Sequence, residues 1–393
     1  GLTAAYHAAR AGARTVLLDR QAEPGGKIVL SGGGRCNILP VSVDPTRFVT
    51  DSSVHTLRKI LLSWRLDEVR TFVEGPLGLR LREETSTGKL FPVSGGGWEV
   101  RRRFLQSVRR AGATLRTGTL VTGVDPGAPH RLRLEGGSAL RVNRVVLATG
   151  GLSYPWTGSD GLGLRIARSL GQPVVEPYPA LVPLRGDADV HRALSGLSVR
   201  VHLTVVDEGG NRVRSDGPLL FTHRGYSGPA VLNIGHLAAR AHRESRQLRI
   251  LVSWGDRPPD AWQQALSPTK RGVRGVLREV LPDRLGVALL TELELTRATC
   301  ATLSRAKRHR LLEALTAYPL PWCGTGGFDE AEVTGGGVHL SQVDPRSLAS
   351  RVVPAVHFCG EILDAFGPIG GTNFLWAFVT GKLAGDAAAR GGS

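Results

Sequence analysis

An α/β fold of the dinucleotide-binding kind is predicted by three features of this chain. Behind Gly1, the residues Leu2, Ala5, Tyr6 and Ala9 recur at helical spacing, with Gly12 as a stop. An apolar strand then runs through Leu17 and Leu18 and ends on an acid, Asp19. Glycine clusters accompany later strand-like runs, at Gly32 to Gly34, Gly150 to Gly151 and Gly370 to Gly371. In a dinucleotide-binding βαβ unit the third glycine of GxGxxG opens the helix, and the acid that accepts the ribose diol follows after about 20 residues. Gly1 and Asp19 match that spacing. The first strand of the unit and its first two glycines would then lie upstream of residue 1, so an N-terminal strand is expected to be missing; the absence of any Met agrees. On these two residues alone, an ordinary strand–helix pair that opens on a glycine fits equally well.

After a Gly-Gly-Lys turn at 25–27, the run KIVLSGGGRCN (27–37) sets three glycines before Arg35, Cys36 and Asn37. Backbone without side chains at Gly32, Gly33 and Gly34 admits a flat ligand or a pyrophosphate at close range. Helical periodicity is expected near 54–74 and 98–111, the second stretch opened by Gly95 to Gly97. Strands are expected at 114–116, 120–124, 131–134 and 144–148. The last runs into Thr149, Gly150 and Gly151, and the carboxyl edge of a strand is where open α/β sheets bind ligands.

Beyond Pro183 the pattern changes to alternating strands at 199–206 and 248–253, interrupted by FTHRGYSGPAVLNIG (221–235). Residues 259–318 read as mostly helical, most clearly at 273–280 and 298–317. Residues 182–329 therefore read as an insertion, between a first part of the nucleotide-binding domain (1–181) and its C-terminal part (330–393). The glycine-rich pattern returns from Glu332, with a buried strand at 356–359 and a helix at 372–387 behind Gly370 and Gly371. The free N–H groups of a helix start stabilise an anion or a polarised carbonyl oxygen.

With 393 residues the chain suffices for two or three domains, and its 41% hydrophobic content suits a soluble globular protein. No apolar run reaches the ~18 residues of a membrane span. The net charge of +16 raises nucleic acid as a partner, but only six of the 50 cations are lysines (27, 59, 89, 270, 307, 382) and the arginines are scattered, which suits a solvated basic surface better. Cys36, Cys300, Cys323 and Cys359 have no CxxC spacing, so neither a redox pair nor a metal site is expected. Cys36 reads either as a thiol facing a ligand or as a small buried packing residue.

In FTHRGYSGPAVL (221–232), His223 is placed to give a proton to a substrate anion, with Thr222 beside it and Tyr226 or Arg224 orienting a carbonyl. The structural alternative is a strand–turn–helix junction in which Ser227 caps a helix entered through Pro229. The segment as a unit is the substrate-side candidate.

Five segments in order, KIVLSGGGRCN (27–37), ATGGLSYPWTGSDGLG (148–163), FTHRGYSGPAVL (221–232), VTGGGV (333–338) and FCGEILDAFGPIGGTNFLWAFVTGKLAG (358–385), resemble the BaiN-like (YhiN-like) NAD(P)/FAD-dependent oxidoreductases, also labelled the aminoacetone-oxidase family. The resemblance spans the chain. It implies a two-dinucleotide-binding-domain flavoprotein fold, Rossmann-like and FAD-binding, carrying an inserted β-rich plus helical domain. Gly1 would be the last glycine of the phosphate-binding pattern, and Asp19, beside Arg20, the ribose acid where the family more often has Glu. Gly26, Lys27, Ser31, Gly32, Gly33, Arg35, Cys36 and Asn37 would line the pyrophosphate and isoalloxazine. Val121 would contact the adenine, and Ala148, Thr149, Gly150 and Gly151 the nucleotide half. Gly360 and Glu361 stand where many FAD proteins have Gly-Asp at the ribitol and phosphate. The loop through Gly371, Thr372, Asn373 and Phe374 would bring a helix start toward the flavin pyrimidine, where positive potential favours the reduced anion. Leu375 departs from the usual Gln, and Ile38-Leu39-Pro40 from the usual polar residues.

The expected function is a soluble, cytoplasmic FAD-dependent oxidoreductase acting on a small molecule, by conjugated-enone reduction or aminoketone oxidation as the resemblance implies. No second strand–GxGxxG–helix unit is evident, so either NAD(P)H docks transiently or electrons come from the substrate itself. The rival from another class is an RNA-modifying flavoprotein gripping tRNA through Arg305, Lys307, Arg308 and Arg310; the leucines at 303, 311, 312 and 315 make that stretch equally the solvent face of a packed helix. A third possibility is a flavin-binding protein without turnover.

Overall fold

The computed structural model describes residues 1–390 and divides the chain into two compact units, one formed by Gly1–Pro179 with the segment from Glu332 onward, the other by Ala180–Ala331.

In the first unit, Leu2–Arg10 is a helix with Gly1 at its N-cap, and its buried face is Thr3, Ala4, Ala5, Ala8 and Ala9. Small side chains there let it lie close against the helix Thr372–Arg390: a Cβ on Gly381 would sit 2.8 Å from Thr3 Cβ, and one on Gly385 would meet the Ala4 backbone. Val16–Leu18 pairs in parallel with Thr114–Arg116, and Val145–Leu147 pairs in parallel with Val356–Phe358. Parallel pairing between segments so far apart in sequence requires crossovers, which the helices supply. Two three-stranded antiparallel sheets complete the unit, one from Leu39–Pro40, Lys89–Pro92 and Leu81–Glu84, the other from Val121–Asp125, His130–Leu134 and Ala139–Val142. Phe104 stacks on Phe378 in the core, with ring centroids 5.6 Å apart.

The second unit is built on a seven-stranded antiparallel sheet in the order Tyr318–Pro319, Leu248–Trp254, Ser198–Asp207, Arg212–Thr222, Gly225–Ser227, Leu184–Arg185, Gly324–Thr325. Along Ser198–Asp207 alternate residues are buried, as expected of a sheet with one packed face. The helices Pro229–Arg243, Pro259–Ala265, Val273–Leu277, Asp283–Glu292 and Arg305–Thr316 contribute to its core with Trp254 and Trp262.

Several elements differ from expectation, each for a local reason. The stretch 54–74 is two helices, Val54–Leu61 and Leu66–Glu74, because the Glu68 carboxylate accepts from Arg65 N at 2.8 Å and starts a new helix there. Residues 26–30 form a short helix rather than a turn. The stretch 298–317 is broken by a Cys300–Thr302 turn, and its helix starts only at Arg305, where Ser304 accepts from Lys307 N. Ser227 is not a helix cap: it ends the strand Gly225–Ser227, and Gly228 takes the N-cap position ahead of Pro229. Residues 391–393 of the expected C-terminal part lie outside the described residues. Among the described residues no helix is long and apolar enough to cross a membrane, and no cluster of metal-ligating side chains is present.

Candidate functional site

The first unit gathers the glycine-rich segments around one ionic centre. Lys27, on the short helix Gly26–Leu30, places Nζ 2.6 Å from Glu361 Oε2 and 2.7 Å from Ser153 Oγ. Glu361 Oε1 accepts from Ser153 Oγ at 2.7 Å and from Thr334 N at 2.8 Å. Thr334 Oγ1 in turn accepts from Leu152 N and Ser153 N, at 2.8 and 3.0 Å. Burial pushes the Glu361 carboxyl upward, but the Lys27 charge and the hydrogen bonds from Lys27, Ser153 and Thr334 outweigh it and hold the group below the usual carboxylate value. Glu361 is thus an anion whose charge and lone pairs are already matched by protein.

Around this centre the backbone is bare. A Cβ on Gly1 would lie 3.4 Å from Ala148 Cβ, and one on Gly150 would lie 2.9 Å from Ser159 Oγ. Gly151 packs against Thr334, and Thr149 against Gly163. Gly360 is held from the C-terminal helix: its N–H donates to Thr380 Oγ1 at 2.9 Å and its carbonyl accepts from Trp376 Nε1 at 3.2 Å. Gly32, Gly33 and Gly34 are exposed, with φ of 56°, 64° and 86°, and a Cβ on Gly33 would meet no atom within 4 Å. That is a side-chain-free surface beside a buried cation–anion pair.

Asn37 joins this surface to the C-terminal loop. Its side-chain oxygen accepts from Gly371 N at 3.1 Å, and its amide donates to Leu39 O at 3.3 Å. Asn373 pins the same loop by accepting from Gly367 N at 2.9 Å and donating to Gly367 O at 3.0 Å. Thr372 donates to Pro368 O, and Phe374 packs against the core. Ser31 donates to Ile28 O at 2.7 Å. Cys36 is fully buried and burial pushes its thiol up to about 11, so of its two readings it takes the packing role. Arg35 turns outward, stacked 4.2 Å over Phe91 and paired with Glu84 at 2.5 Å.

At the other end, Asp19 follows the strand Val16–Leu18, where Oδ1 accepts from Gln21 N at 2.8 Å. Burial raises its carboxyl somewhat above the ordinary value. The Asp19 carbonyl accepts from Thr119 N at 2.9 Å, which sets Asp19 two residues from Val121, the first residue of its strand. Arg20 pairs with Asp160, and a Cβ on Gly26 would lie 3.5 Å from Thr157.

Thr222, His223, Arg224, Tyr226 and Ser227 belong to the second unit. Thr222 Oγ1 donates to Gly225 O at 3.1 Å, and Arg224 pairs with Glu330 at 3.3 Å, so both support the turn. His223 is exposed. Tyr226, expected on the substrate side, is 1% exposed, and its hydroxyl lies 2.6 Å from His191 Nδ1 and 3.0 Å from the Pro321 carbonyl it donates to. His191 continues to Tyr318 at 3.2 Å, and Tyr318 to Glu292 at 3.1 Å. Tyr226→Phe strands the Pro321 carbonyl and weakens the chain of bonds, for about 1–3 kcal/mol; denaturant unfolding checks this. Burial lowers His191 to about 4, so the folded unit holds it neutral while the unfolded chain protonates it near 6.5. The stability this contributes is lost as pH falls from the unfolded value toward about 4.

Ser153, Thr334, Trp376 and Thr380 were not singled out from the sequence, although all four fall inside segments that were. Their only sequence signal is a polar or indole side chain embedded among glycines and apolar residues. Asp364 was also missed: 1% exposed, it accepts from Ser52 Oγ at 2.6 Å, and from Thr50 Oγ1 and Asp51 N at 3.1 Å each, tying segment 50–52 to the C-terminal motif.

These features fit FAD. Side-chain-free backbone beside helix starts suits a pyrophosphate, and Asp19 at a strand end suits a ribose diol. Comparison with known proteins agrees. The family described as HI0933-like protein Rossmann domain matches residues 1–387. The chain is 30% identical over 379 residues to the ribosomal RNA dihydrouridine synthase of Escherichia coli, covering 96% of this chain and 92% of that one. It is 29% identical over 401 residues to the 3-dehydro-bile acid delta(4,6)-reductase of Clostridium scindens, covering 99% and 96%. A 3-ketosteroid delta1-dehydrogenase structure from Sterolibacterium denitrificans shares the fold at a TM-score of 0.52 and 13% identity, covering 100% and 98%.

Proposed function

The chain belongs to the HI0933-like Rossmann-domain family, a group of FAD-dependent oxidoreductases, and from that premise we propose that it reduces a carbon–carbon double bond conjugated with a carbonyl. One observation carries this reading: two full-length relatives with unlike substrates are named for the same bond chemistry. A 3-oxo compound unsaturated at position 4 is an enone. Conversion of uridine to dihydrouridine saturates a double bond conjugated with the uracil carbonyl. Reduction of either kind adds hydride to one carbon and a proton to its neighbour.

FAD, when bound, supplies the two-electron transfer. The chain's residues supply the rest. Asp19 offers a carboxylate oxygen to the ribose diol, and the glycines at 32–34 and 150–151 give close backbone approach. The Lys27–Glu361 pair with Ser153 and Thr334 fixes the floor of the cradle. Gly371 and the start of the helix Thr372–Arg390 direct N–H groups toward a carbonyl oxygen that gains charge on reduction. Asp19→Ala is expected to weaken FAD retention by about 1.5–3 kcal/mol, the value of a hydrogen bond to a charged group, while turnover at saturating FAD survives; FAD released on dilution measures it.

The reductant is proposed to be a nicotinamide that docks transiently. The test is anaerobic: NADH or NADPH should bleach the flavin, and 2-cyclohexen-1-one should restore its colour in amounts matching the ketone formed. A flavin that no conjugated carbonyl reoxidises sinks the reading. A second substrate class, uridine in ribosomal RNA, is favoured by the relatives from Escherichia coli and Haemophilus influenzae that carry that name and by the +16 charge. Mass spectrometry of an rRNA transcript incubated with enzyme and reductant would show a uridine gaining two hydrogens.

A further inference from the structure

The cradle's polar side chains are nearly all committed to one another, and the exceptions are informative. Glu361 is neutralised by Lys27; both amide atoms of Asn373 are taken by Gly367; the Cys36 thiol is sealed in the core; Arg35 is held by Glu84. Two charged groups remain without a hydrogen bond or ion pair among the described residues. Lys89, half-buried, lies opposite Pro40 in the strand pairing, and its Cε would stand 3.9 Å from a Cβ on Gly370, so its stem runs along the Gly370–Gly371 turn. Glu332, also half-buried, precedes the strand Val333–Val338, and its carbonyl lies 3.5 Å from Ser153 Oγ at the edge of the ionic centre. These two groups stand at the two edges of the same bare surface.

Building on the reductase reading above, we propose that Glu332 is the proton donor to the carbon next to the substrate carbonyl, and that Lys89 sets the proton affinity of Glu332. Partial burial keeps the Glu332 carboxyl above its ordinary value, and Lys89 is the charged group that pulls it back. Lys27 and Glu361, the other charges at the cradle floor, cancel each other. A half-buried carboxylic acid with no protein partner retains its proton near neutrality and can still be recharged from water. In the balanced step, hydride from the reduced cofactor forms a C–H bond at the far alkene carbon. The π electrons move to the carbonyl as an enolate, and the Glu332 O–H breaks as its proton joins the near carbon. The substrate is reduced by two electrons and the cofactor oxidised; water returns the proton to Glu332, and a nicotinamide restores the cofactor.

Two measurements on the FAD-loaded protein decide this. Infrared difference spectra of wild type against Glu332→Gln should show a carboxylic-acid carbonyl stretch at neutral pH that belongs to Glu332, and Lys89→Met should shift its disappearance to higher pH. Stopped-flow reoxidation of the reduced enzyme by 2-cyclohexen-1-one or the rRNA transcript should slow by about 100-fold or more in Glu332→Gln, in the range general acids contribute, while flavin reduction by the nicotinamide is unchanged. The fall in wild-type rate at high pH should vanish in the variant, and Glu332→Asp should recover part of the rate. An ionised Glu332 at neutral pH, or a Glu332→Gln enzyme reoxidised at the wild-type rate, overturns this inference alone. A wild type that reduces neither acceptor removes the reductase reading and this inference with it.

Discussion

Glu361→Gln is expected to purify without flavin. Gln keeps an oxygen for Thr334 N and Ser153 but turns an N–H₂ toward Lys27 Nζ, so two donors face each other where 2.6 Å now separates an ion pair. Removing one member of a buried pair leaves the other uncompensated, at about 3–5 kcal/mol when burial is complete. The Lys27 and Glu361 side chains retain 26% and 20% exposure, so about 2–3 kcal/mol is expected, read as a lowered denaturation midpoint of the first unit. The double variant Lys27→Met with Glu361→Leu separates stability from cofactor binding, because an apolar pair of similar size removes the stranded charge. It should refold to near wild-type stability and still lack FAD. If Glu361→Gln retains stoichiometric flavin, the ionic centre is not part of the cofactor site. Because the folded carboxyl lies below its ordinary value, the stabilisation is complete above that ordinary value and disappears as pH falls through the folded one. Acid should therefore release flavin before the core melts.

Gly371→Ala is expected to be the most damaging single methyl in the first unit. Gly371 has φ of +87°, and an added Cβ would stand 2.7 Å from Leu39 C and 2.9 Å from its N and Cα. These are backbone atoms of a strand paired with Lys89–Pro92, so no side chain can swing away. Left-handed strain of about 1–2 kcal/mol and an overpacking cost of about 1–3 kcal/mol together predict loss of most soluble protein. Gly33→Ala is the control. Its φ of +64° brings the same strain, but nothing lies within 4 Å, so only about 1–2 kcal/mol should be lost. Equal unfolding midpoints for the two variants would mean that the Leu39 contact is not rigid.

Part of this was legible in the sequence because it follows from local chemistry. Helical spacing behind Gly1, the strand into Asp19 and the glycine clusters each depend on residues a few positions apart, and the structure forms the corresponding elements at Leu2–Arg10, Val16–Leu18 and Thr372–Arg390. The family could be recognised for the same reason, since five short motifs carry it. Helix breaks were less visible: Arg65 starts a helix through the Glu68 side chain, which spacing alone does not reveal.

What only the tertiary structure decided is which polar side chains are spent and which are free. Lys27 and Glu361 lie 334 positions apart, and Ser153 and Thr334 lie 181 apart; no periodicity connects them. Cys36 and Tyr226 look chemically available in the sequence, yet burial and hydrogen bonds commit both to packing. Glu332 and Lys89 look unremarkable there and emerge only because the folded cradle leaves them unpaired at its edge. The sequence by itself determined the α/β class, the family and a flavin-type backbone cradle, because those depend on short-range spacing and on glycine; the fate of each charge was set by long-range contacts and desolvation, which exist only once the chain is folded.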